Sequence, residues 1–170
     1  MIEPDTYVDD RGVLEITYSE SEFSKNGLNT KWVGRVTTTT KGIGIVRGMH
    51  WQAEPHSQIK LVRCVAGKVI DVIVDIRKKS ELFGIPVSVE LTKENGKSIY
   101  IPSGFAHGFQ CLSDECVMDY LLSDKYSAEY SRSFNPCYPS FFSFKWPLSV
   151  SKLSVRDSSA PSLSDVLQCV

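Results

Sequence analysis

The chain has 170 residues, of which 19 are basic and 20 are acidic, so its formal net charge is −1. A balanced charge offers no general attraction for nucleic acid or anionic lipid, although it permits a local basic pocket for a small anion. The length, together with 42% apolar and 23% charged residues, predicts one globular domain spanning residues 1–170.

Rare residue types narrow the functional classes further. The chain has three histidines and five cysteines, and the cysteines form no C-x-x-C pair. This pattern argues against a structural zinc site and against a closed disulfide framework. No apolar run reaches the roughly 18 residues of a membrane span, and residues 1–5 lack the basic, apolar start of a secretory signal peptide. We therefore expect a reduced, cytoplasmic compartment and no membrane partner.

Short strands separated by turn signals dominate the chain. Runs rich in Val, Ile and Thr predict strands at 13–18, 32–38, 43–52, 58–65, 68–77, 85–92, 98–101, 108–112 and 117–122. Ser19 with Glu22 predicts a capping box for a helix that Gly27 ends, and Ser162 with Asp165 predicts a short terminal turn or helix. The Ser-rich segment 149–164 is equally consistent with a solvated tail and with ordered chain. So many short strands predict a mostly β, antiparallel sandwich or barrel.

The two faces of the predicted strand 68–77 differ in polarity. One face is apolar throughout, whereas the other carries Asp71 and Asp75, and Lys60 lies on a similarly mixed face of strand 58–65. Burying an Asp or a Lys costs several kcal/mol unless partners satisfy it. The polar face is therefore either exposed to solvent or the wall of a ligand-binding barrel mouth. Periodicity alone favours the exposed face.

His50 and His107 are the candidate chemical residues, because both lie in glycine-rich strand contexts. His107 ends a Pro-x-Gly-x-x-His pattern at 102–107, which has the spacing of a cupin motif. A metal-binding cupin has a second His two residues after the first. Here that position is Gln52, and an amide is a poor ligand for Zn or Fe. The sequence thus predicts no metal site, and we interpret His56 as a surface residue.

Segments spread over nearly the whole chain, in order and at almost constant spacing, resemble the dTDP-4-dehydrorhamnose 3,5-epimerase family. They are DDRG at 9–12, RGMHWQ at 47–52, QIKLVR at 58–63, DVIVDIR at 71–77, SELFG at 80–84, IPSGFAHGF at 101–109, LSD at 112–114, Tyr120, WP at 146–147 and LSVRD at 153–157. The resemblance implies a cupin-type double-stranded β-helix, or jelly-roll barrel, with a few short helices. It also implies a homodimer without metal or other cofactor.

The activity that the resemblance implies is an isomerase reaction of deoxysugar and surface-polysaccharide biosynthesis. Family members epimerise C3 and/or C5 of a nucleoside-diphosphate 4-keto-6-deoxy sugar. His50 matches the base that removes a proton beside the ketone, and Asp157 matches the carboxylate that orients this His. Tyr120 matches the acid that returns a proton from the opposite face, and Lys60 matches a cation that stabilises charge on the ketone oxygen.

Further matched positions are expected to bind the substrate. His107 and Asp71 match a second His–carboxylate pair that hydrogen-bonds or polarises the sugar, and a purely structural role for Asp71 stays open. Gln52 is a further polar contact.

The diphosphate is expected to bind to arginines, whose guanidinium fork suits phosphate oxygens. Arg47 and Arg11 match phosphate-binding positions of the family, and Arg156 is a further candidate. Strict alternation along a strand would turn Arg47 away from His50. We therefore expect a β-bulge at Gly48.

Departures from the family pattern cluster where the nucleotide is held. The Gln-Asp-Asn-x-Ser pattern of the family is replaced by RVTTT at 35–39, and aromatic residues after the Asp-x-Arg-Gly element are replaced by VL at 13–14. One Tyr of a pair is missing in KY at 125–126, and CYPS at 137–140 replaces a Trp-containing element. We therefore expect the same mechanism on a different nucleotide or sugar, such as a GDP- or CDP-linked 4-keto sugar.

Two other functional classes stay open. A metal-dependent cupin enzyme would use His50 and His107 as ligands. A non-catalytic sugar-nucleotide-binding cupin would bind the substrate without exchanging its protons.

Overall fold

The computed structural model describes residues 1–138 and 144–169. Its elements, in chain order, are β1 (Asp5–Asp9), β2 (Gly12–Ile16), α1 (Glu20–Lys25), β3 (Gly34–Lys41), β4 (Val46–Gln52), β5 (Lys60–Ala66), β6 (Lys68–Asp75), β7 (Pro86–Thr92), β8 (Ser98–Ile101), β9 (Phe105–Cys111), β10 (Glu115–Leu122), β11 (Ser131–Ser133), α2 (Val155–Ser158) and α3 (Leu163–Cys169). No helix in these two ranges is long and apolar enough to cross a membrane.

Two antiparallel sheets form the body of the molecule. The order of strands is β3-β10-β5-β8 in the four-stranded sheet and β11-β4-β9-β6-β7 in the five-stranded sheet, while β1 and β2 form a separate hairpin. The faces that the two sheets turn toward each other carry buried apolar residues such as Val62, Phe109 and Met118. The prediction of a mostly β, antiparallel barrel is confirmed.

A second apolar cluster covers the outer face of the five-stranded sheet. Val72 and Val74 of β6 pack there with Met49 and Phe134, and α3 closes the cluster with Leu163. Because the strand side chains alternate between faces, the two valines lie under α3 while the polar face of β6 points into the barrel.

The expectation that the polar face of β6 is exposed is therefore wrong. Asp71 has no exposed surface and Asp75 has 1%. The strand lies between β9 and β7 and is covered on both sides, and each carboxylate has a partner: His107 for Asp71 and Arg77 for Asp75.

Several element boundaries differ from the sequence prediction. The strand predicted at 13–18 is the second half of the β1–β2 hairpin, and β9 begins at Phe105 rather than at 108. Neither β11 nor α2 was predicted. At α1 the capping box does not form, because the Ser19 hydroxyl meets Ser21 at 3.0 Å instead of a backbone N–H.

The C-terminal part of the chain is ordered where it passes the barrel. The hydroxyl of Ser162 accepts from the Asp165 N–H at 3.2 Å and caps α3, which confirms the predicted terminal helix. Upstream, the N–H of Val46 donates to the Lys152 carbonyl at 3.1 Å, and Lys152 forms a parallel bridge with Ile45. Residues 148–157, which we call the tail segment, thus run alongside the start of β4.

Candidate active site

A cavity of about 700 Å³ opens into the barrel, with walls from β3, β4, β5, β9, β10 and the tail segment. Eight of the ten residues expected to form a site line it, namely Arg47, His50, Gln52, Lys60, His107, Tyr120, Arg156 and Asp157. A ninth, Asp71, contacts His107, which lines the cavity. Arg11 lies elsewhere.

A β-bulge in β4 brings Arg47 and His50 to the same wall. Arg47 pairs with Phe109 and His50 pairs with His107, so β4 advances three residues where β9 advances two. Gly48 occupies the bulge with a φ of +130°, and a Cβ there would lie 2.5 Å from the Cα of Gly108. The close approach of the two strands therefore requires glycine, and the expected bulge is confirmed.

His50 and Asp157 form a hydrogen-bonded pair across this wall. His50 Nε2 lies 2.5 Å from Asp157 Oδ1, and the N–H of Gly48 donates to Oδ2 at 3.5 Å. Burial would raise the pKa of Asp157, but the hydrogen bond and charge of His50 outweigh it and hold this pKa below its ordinary value. Because Asp157 occupies Nε2, the other ring nitrogen, Nδ1, is the one that can take up a proton.

A second His–carboxylate pair lies beside the first, because His107 of β9 is the cross-strand neighbour of His50, and its partner Asp71 lies on β6. His107 Nε2 lies 2.8 Å from Asp71 Oδ2, and both side chains are buried. The other Asp71 oxygen is buried without a hydrogen-bond partner. The ring of Tyr120 meets the His107 ring edge-on, with 6.0 Å between the centroids. Burial, reinforced by the charge of Asp71, raises the pKa of the Tyr120 phenol, which therefore keeps its proton at neutral pH and can act as an acid.

Lys60 places an amine at the floor of the cavity. Its side chain enters from the start of β5, and Nζ donates to the His50 carbonyl at 3.3 Å. Burial lowers the pKa of Lys60 from 10.5 to about 8, and the nearby charge of Asp71 limits the drop. Most of the Lys60 population is therefore cationic at neutral pH, as stabilisation of a developing oxyanion requires.

Cations also surround the cavity mouth. Arg47 donates from Nε to the Thr40 hydroxyl at 2.8 Å, and Arg156 donates to the Ser131 hydroxyl at 2.7 Å. Lys41 and Lys152 line the same cavity, and no sequence motif pointed to either of them. Asp157 is the one carboxylate among the described residues that line the cavity, so this wall is strongly cationic and suits an anionic ligand.

Three predicted positions have other surroundings than expected. Arg11 is 86% exposed in the β1–β2 turn, where it pairs with Asp9. The side-chain amide of Gln52 hydrogen-bonds to the backbone rather than pointing free into the cavity: it donates to the His56 and Lys125 carbonyls and accepts from the Ser127 N–H. His56, interpreted as a surface residue, keeps 29% of its side chain exposed and is partly buried.

His56 is partly buried because its ring packs between Asp124 and Tyr130. Its Nδ1 lies 3.0 Å from a carboxylate oxygen of Asp124, and its ring contacts Tyr130. Among the residues of 1–138 and 144–169, no three His, Cys, Asp or Glu side chains come together as a metal site would require.

Some of the positions that depart from the family pattern line the cavity, and others lie outside it. Val36 and Thr38 of β3 line the cavity, whereas Arg35 faces outward and makes a bidentate ion pair with Asp119. Tyr126 lines the cavity at its mouth. Residues 139 and 140 lie outside the described residues.

Comparisons with known proteins agree with this geometry. The family model described as dTDP-4-dehydrorhamnose 3,5-epimerase matches residues 1–165. A dTDP-4-dehydrorhamnose 3,5-epimerase of Sinorhizobium fredii is 40% identical over 167 residues, which cover 98% of this chain and 85% of the relative.

Two solved structures have the same fold. One is a dTDP-6-deoxy-D-glucose-3,5-epimerase of Legionella pneumophila in complex with dTDP-4-keto-L-rhamnose, with a TM-score of 0.88 and 36% identity over 95% of this chain and 86% of that one. The other is a 3'-monoepimerase of Streptomyces bikiniensis in complex with dTDP-quinovose, with a TM-score of 0.91 and 29% identity over 99% and 85%. The fold is thus the cupin-type barrel of these epimerases, and the chain belongs to the dTDP-4-dehydrorhamnose 3,5-epimerase family.

Proposed function

We propose that this protein, as a single cupin-type domain, epimerises C3 and/or C5 of a nucleoside-diphosphate 4-keto-6-deoxy sugar in deoxysugar biosynthesis. The observation that carries the proposal is the set of His50, Asp157, Lys60 and Tyr120 around one cationic cavity. Proton removal beside a ketone needs a base, a group that stabilises the resulting oxyanion, and an acid on the other face.

The first step is proton abstraction by His50. Its Nδ1 takes the proton from the carbon next to the ketone, while Asp157 at Nε2 orients the ring and stabilises the imidazolium that forms. The ketone oxygen gains negative charge as the proton leaves. The Lys60 ammonium, held at the cavity floor, stabilises that enolate oxygen.

The second step is protonation from the opposite face by Tyr120. Its raised pKa keeps the phenol protonated before the step, and solvent restores the proton afterwards. The number of carbons that are inverted depends on how the sugar ring lies between His50 and Tyr120. The named relatives include both 3,5-epimerases and a 3'-monoepimerase.

The diphosphate binds at the cationic mouth, to Arg47 and Arg156. Arg11 belongs to this site only if it comes from a second copy of the chain, because the β1–β2 hairpin stands away from its own cavity. This hairpin exposes apolar Tyr7, Val8 and Leu14, as an interface does. We therefore propose a homodimer in which Arg11 of the partner subunit completes the phosphate site. We also propose that the enzyme acts in the cytoplasm.

The nucleotide is tested separately from the reaction. The solved relatives bind dTDP-linked sugars, which favours dTDP. Val36 and Tyr126 at the cavity, where the family has other residues, support the hypothesis of another base. Binding of dTDP, UDP, GDP and CDP by calorimetry decides between them. A clear preference for dTDP would contradict the hypothesis of a different nucleotide.

The deciding experiment for the activity is proton NMR in deuterated water with a panel of nucleotide 4-keto-6-deoxy sugars. Solvent deuterium should appear at C3, C5 or both, together with the inverted product. Binding without exchange would instead support the non-catalytic sugar-nucleotide-binding protein. Loss of exchange on removal of a stoichiometric metal would support the metal-dependent enzyme.

A further inference from the structure

Gln110 is a buried amide that the proposed chemistry does not use. It lies in β9 between Val46 of β4 and Ile70 of β6, and it has no exposed surface. His107 and Phe109 of the same strand line the cavity, so Gln110 points to the opposite side of the sheet. A buried amide is costly unless its donor and acceptor are both satisfied.

Both groups of this amide are satisfied by one residue of the tail segment. Gln110 Nε2 donates to the Leu148 carbonyl at 2.9 Å, and Gln110 Oε1 accepts from the Leu148 N–H at 3.0 Å. A longer contact of 3.4 Å joins Nε2 to the Gly44 carbonyl. The side chain therefore pairs with the backbone of Leu148 as a neighbouring strand would.

Other contacts hold the chain on either side of Leu148: Trp146 donates to the Pro136 carbonyl at 3.1 Å, and the Ser151 hydroxyl donates to the Ile43 carbonyl at 2.6 Å. At Leu148 itself, the described contacts are those with Gln110. Leu148 and Ser149 are exposed, and so are Ser151 and Lys152, so burial of their side chains contributes little. Backbone hydrogen bonds from Ser151 to Gly44 and from Val46 to Lys152 follow, and Asp157 ends the segment in the cavity wall. The bonds between Gln110 and Leu148 are partly buried, and the Gln110 amide itself has no exposed surface, so losing them leaves a buried amide without these partners.

We infer that Gln110 is a positioning residue for the reaction: by holding Leu148, it sets the path of the tail segment and keeps the Asp157 carboxylate against His50. The inference deepens the proposed function and rests on it. Gln110 touches neither the cavity nor the substrate and acts through Asp157.

A double-mutant cycle distinguishes positioning from general stabilisation. Gln110→Leu keeps a similar volume and removes both hydrogen bonds. It should lower kcat about 10- to 100-fold with little change in KM, because a small displacement of a catalytic group has an effect of this size. In the Asp157→Asn background the same change should alter kcat less than about twofold. An equal loss in both backgrounds would overturn the inference.

Two further variants guard against misfolding. Gln110→Met keeps a similar volume without either hydrogen bond or a buried charge, so kcat should fall as far as it does in Gln110→Leu. Asn95→Ala removes side-chain bonds to the backbone in the β7–β8 turn, away from the cavity. It should lower the melting temperature without changing kcat. If kcat follows the melting temperature across all three variants, Gln110 is merely structural.

A measurement without substrate separates this inference from the proposed function. Carbon NMR of the Asp157 carboxyl group should show its pKa below the ordinary value in the wild type, because His50 donates to it and supplies charge. Gln110→Leu should raise this pKa and Asn95→Ala should not. An unchanged pKa in Gln110→Leu overturns the role of Gln110 even if the enzyme is active. Absence of any deuterium exchange in the wild type overturns the proposed function alone.

Discussion

Replacement of Lys60 by Met is expected to remove most of the activity and to stabilise the fold. A pKa of about 8 in place of 10.5 means that holding the ammonium in the folded protein costs about 3 kcal/mol. Met fills a similar volume without this cost. Loss of the long hydrogen bond to the His50 carbonyl removes about 1 kcal/mol, so the net gain is about 2 kcal/mol at neutral pH.

The pH dependence of the stability gives the sign of this effect. Between about pH 8 and pH 10.5 the unfolded chain still carries the Lys60 proton that the folded protein has released. The wild type should therefore become more stable through this window relative to K60M, and the stability advantage of K60M should disappear above it.

Urea unfolding of both proteins across this pH window measures the difference directly. Lys68→Met is the matched control, because Lys68 is half-exposed on β6 beside Glu90, and its replacement should change stability by less than about 0.5 kcal/mol. A K60M protein that is less stable than the wild type at neutral pH would refute the reasoning. Retention of more than about a tenth of the wild-type kcat would refute the oxyanion role, for which losses of ~10²–10³-fold are typical.

Three further changes test the remaining roles. Asp157→Asn keeps the shape of the side chain beside His50 but removes its charge, so kcat in a product assay should fall ~10²–10⁴-fold. A loss of less than about tenfold would contradict the orienting role of Asp157. Tyr120→Phe lacks the acid and should still exchange deuterium at one carbon while forming no inverted product by NMR; inversion at the wild-type rate would place the acid elsewhere. Arg47→Ala removes a phosphate contact that is made in the ground state and in the transition state alike, so KM should rise about tenfold or more while kcat is preserved. A fall in kcat with an unchanged KM would exclude this role.

The barrel and most of the site follow from local features of the sequence. Runs of Val and Ile mark the strands. The residues that match the family motifs lie on these strands, and pairing of the strands brings them to one cavity. The bulge at Gly48 is also predictable from the sequence, since Arg47 and His50 can line the same wall only if one residue is inserted between them.

Features that depend on packing between distant segments were not predictable. The polar face of β6 looks exposed in the sequence, because nothing local shows that His107 comes to Asp71. The anchoring of Leu148 by Gln110 joins residues that are 38 positions apart and belongs to no motif. Arg11 matches its motif and yet lies outside the cavity, because the motif does not show where the β1–β2 turn lies relative to the barrel.

In the proposed reaction, His50 removes a proton beside the ketone. The most direct measurement is deuterium incorporation from solvent into a nucleotide 4-keto-6-deoxy sugar, followed by proton NMR for the wild type and for His50→Ala. We expect exchange by the wild type and a loss of ~10²–10⁴-fold in the rate of exchange by the variant, at both carbons if both are inverted. Exchange at the wild-type rate in His50→Ala would contradict it.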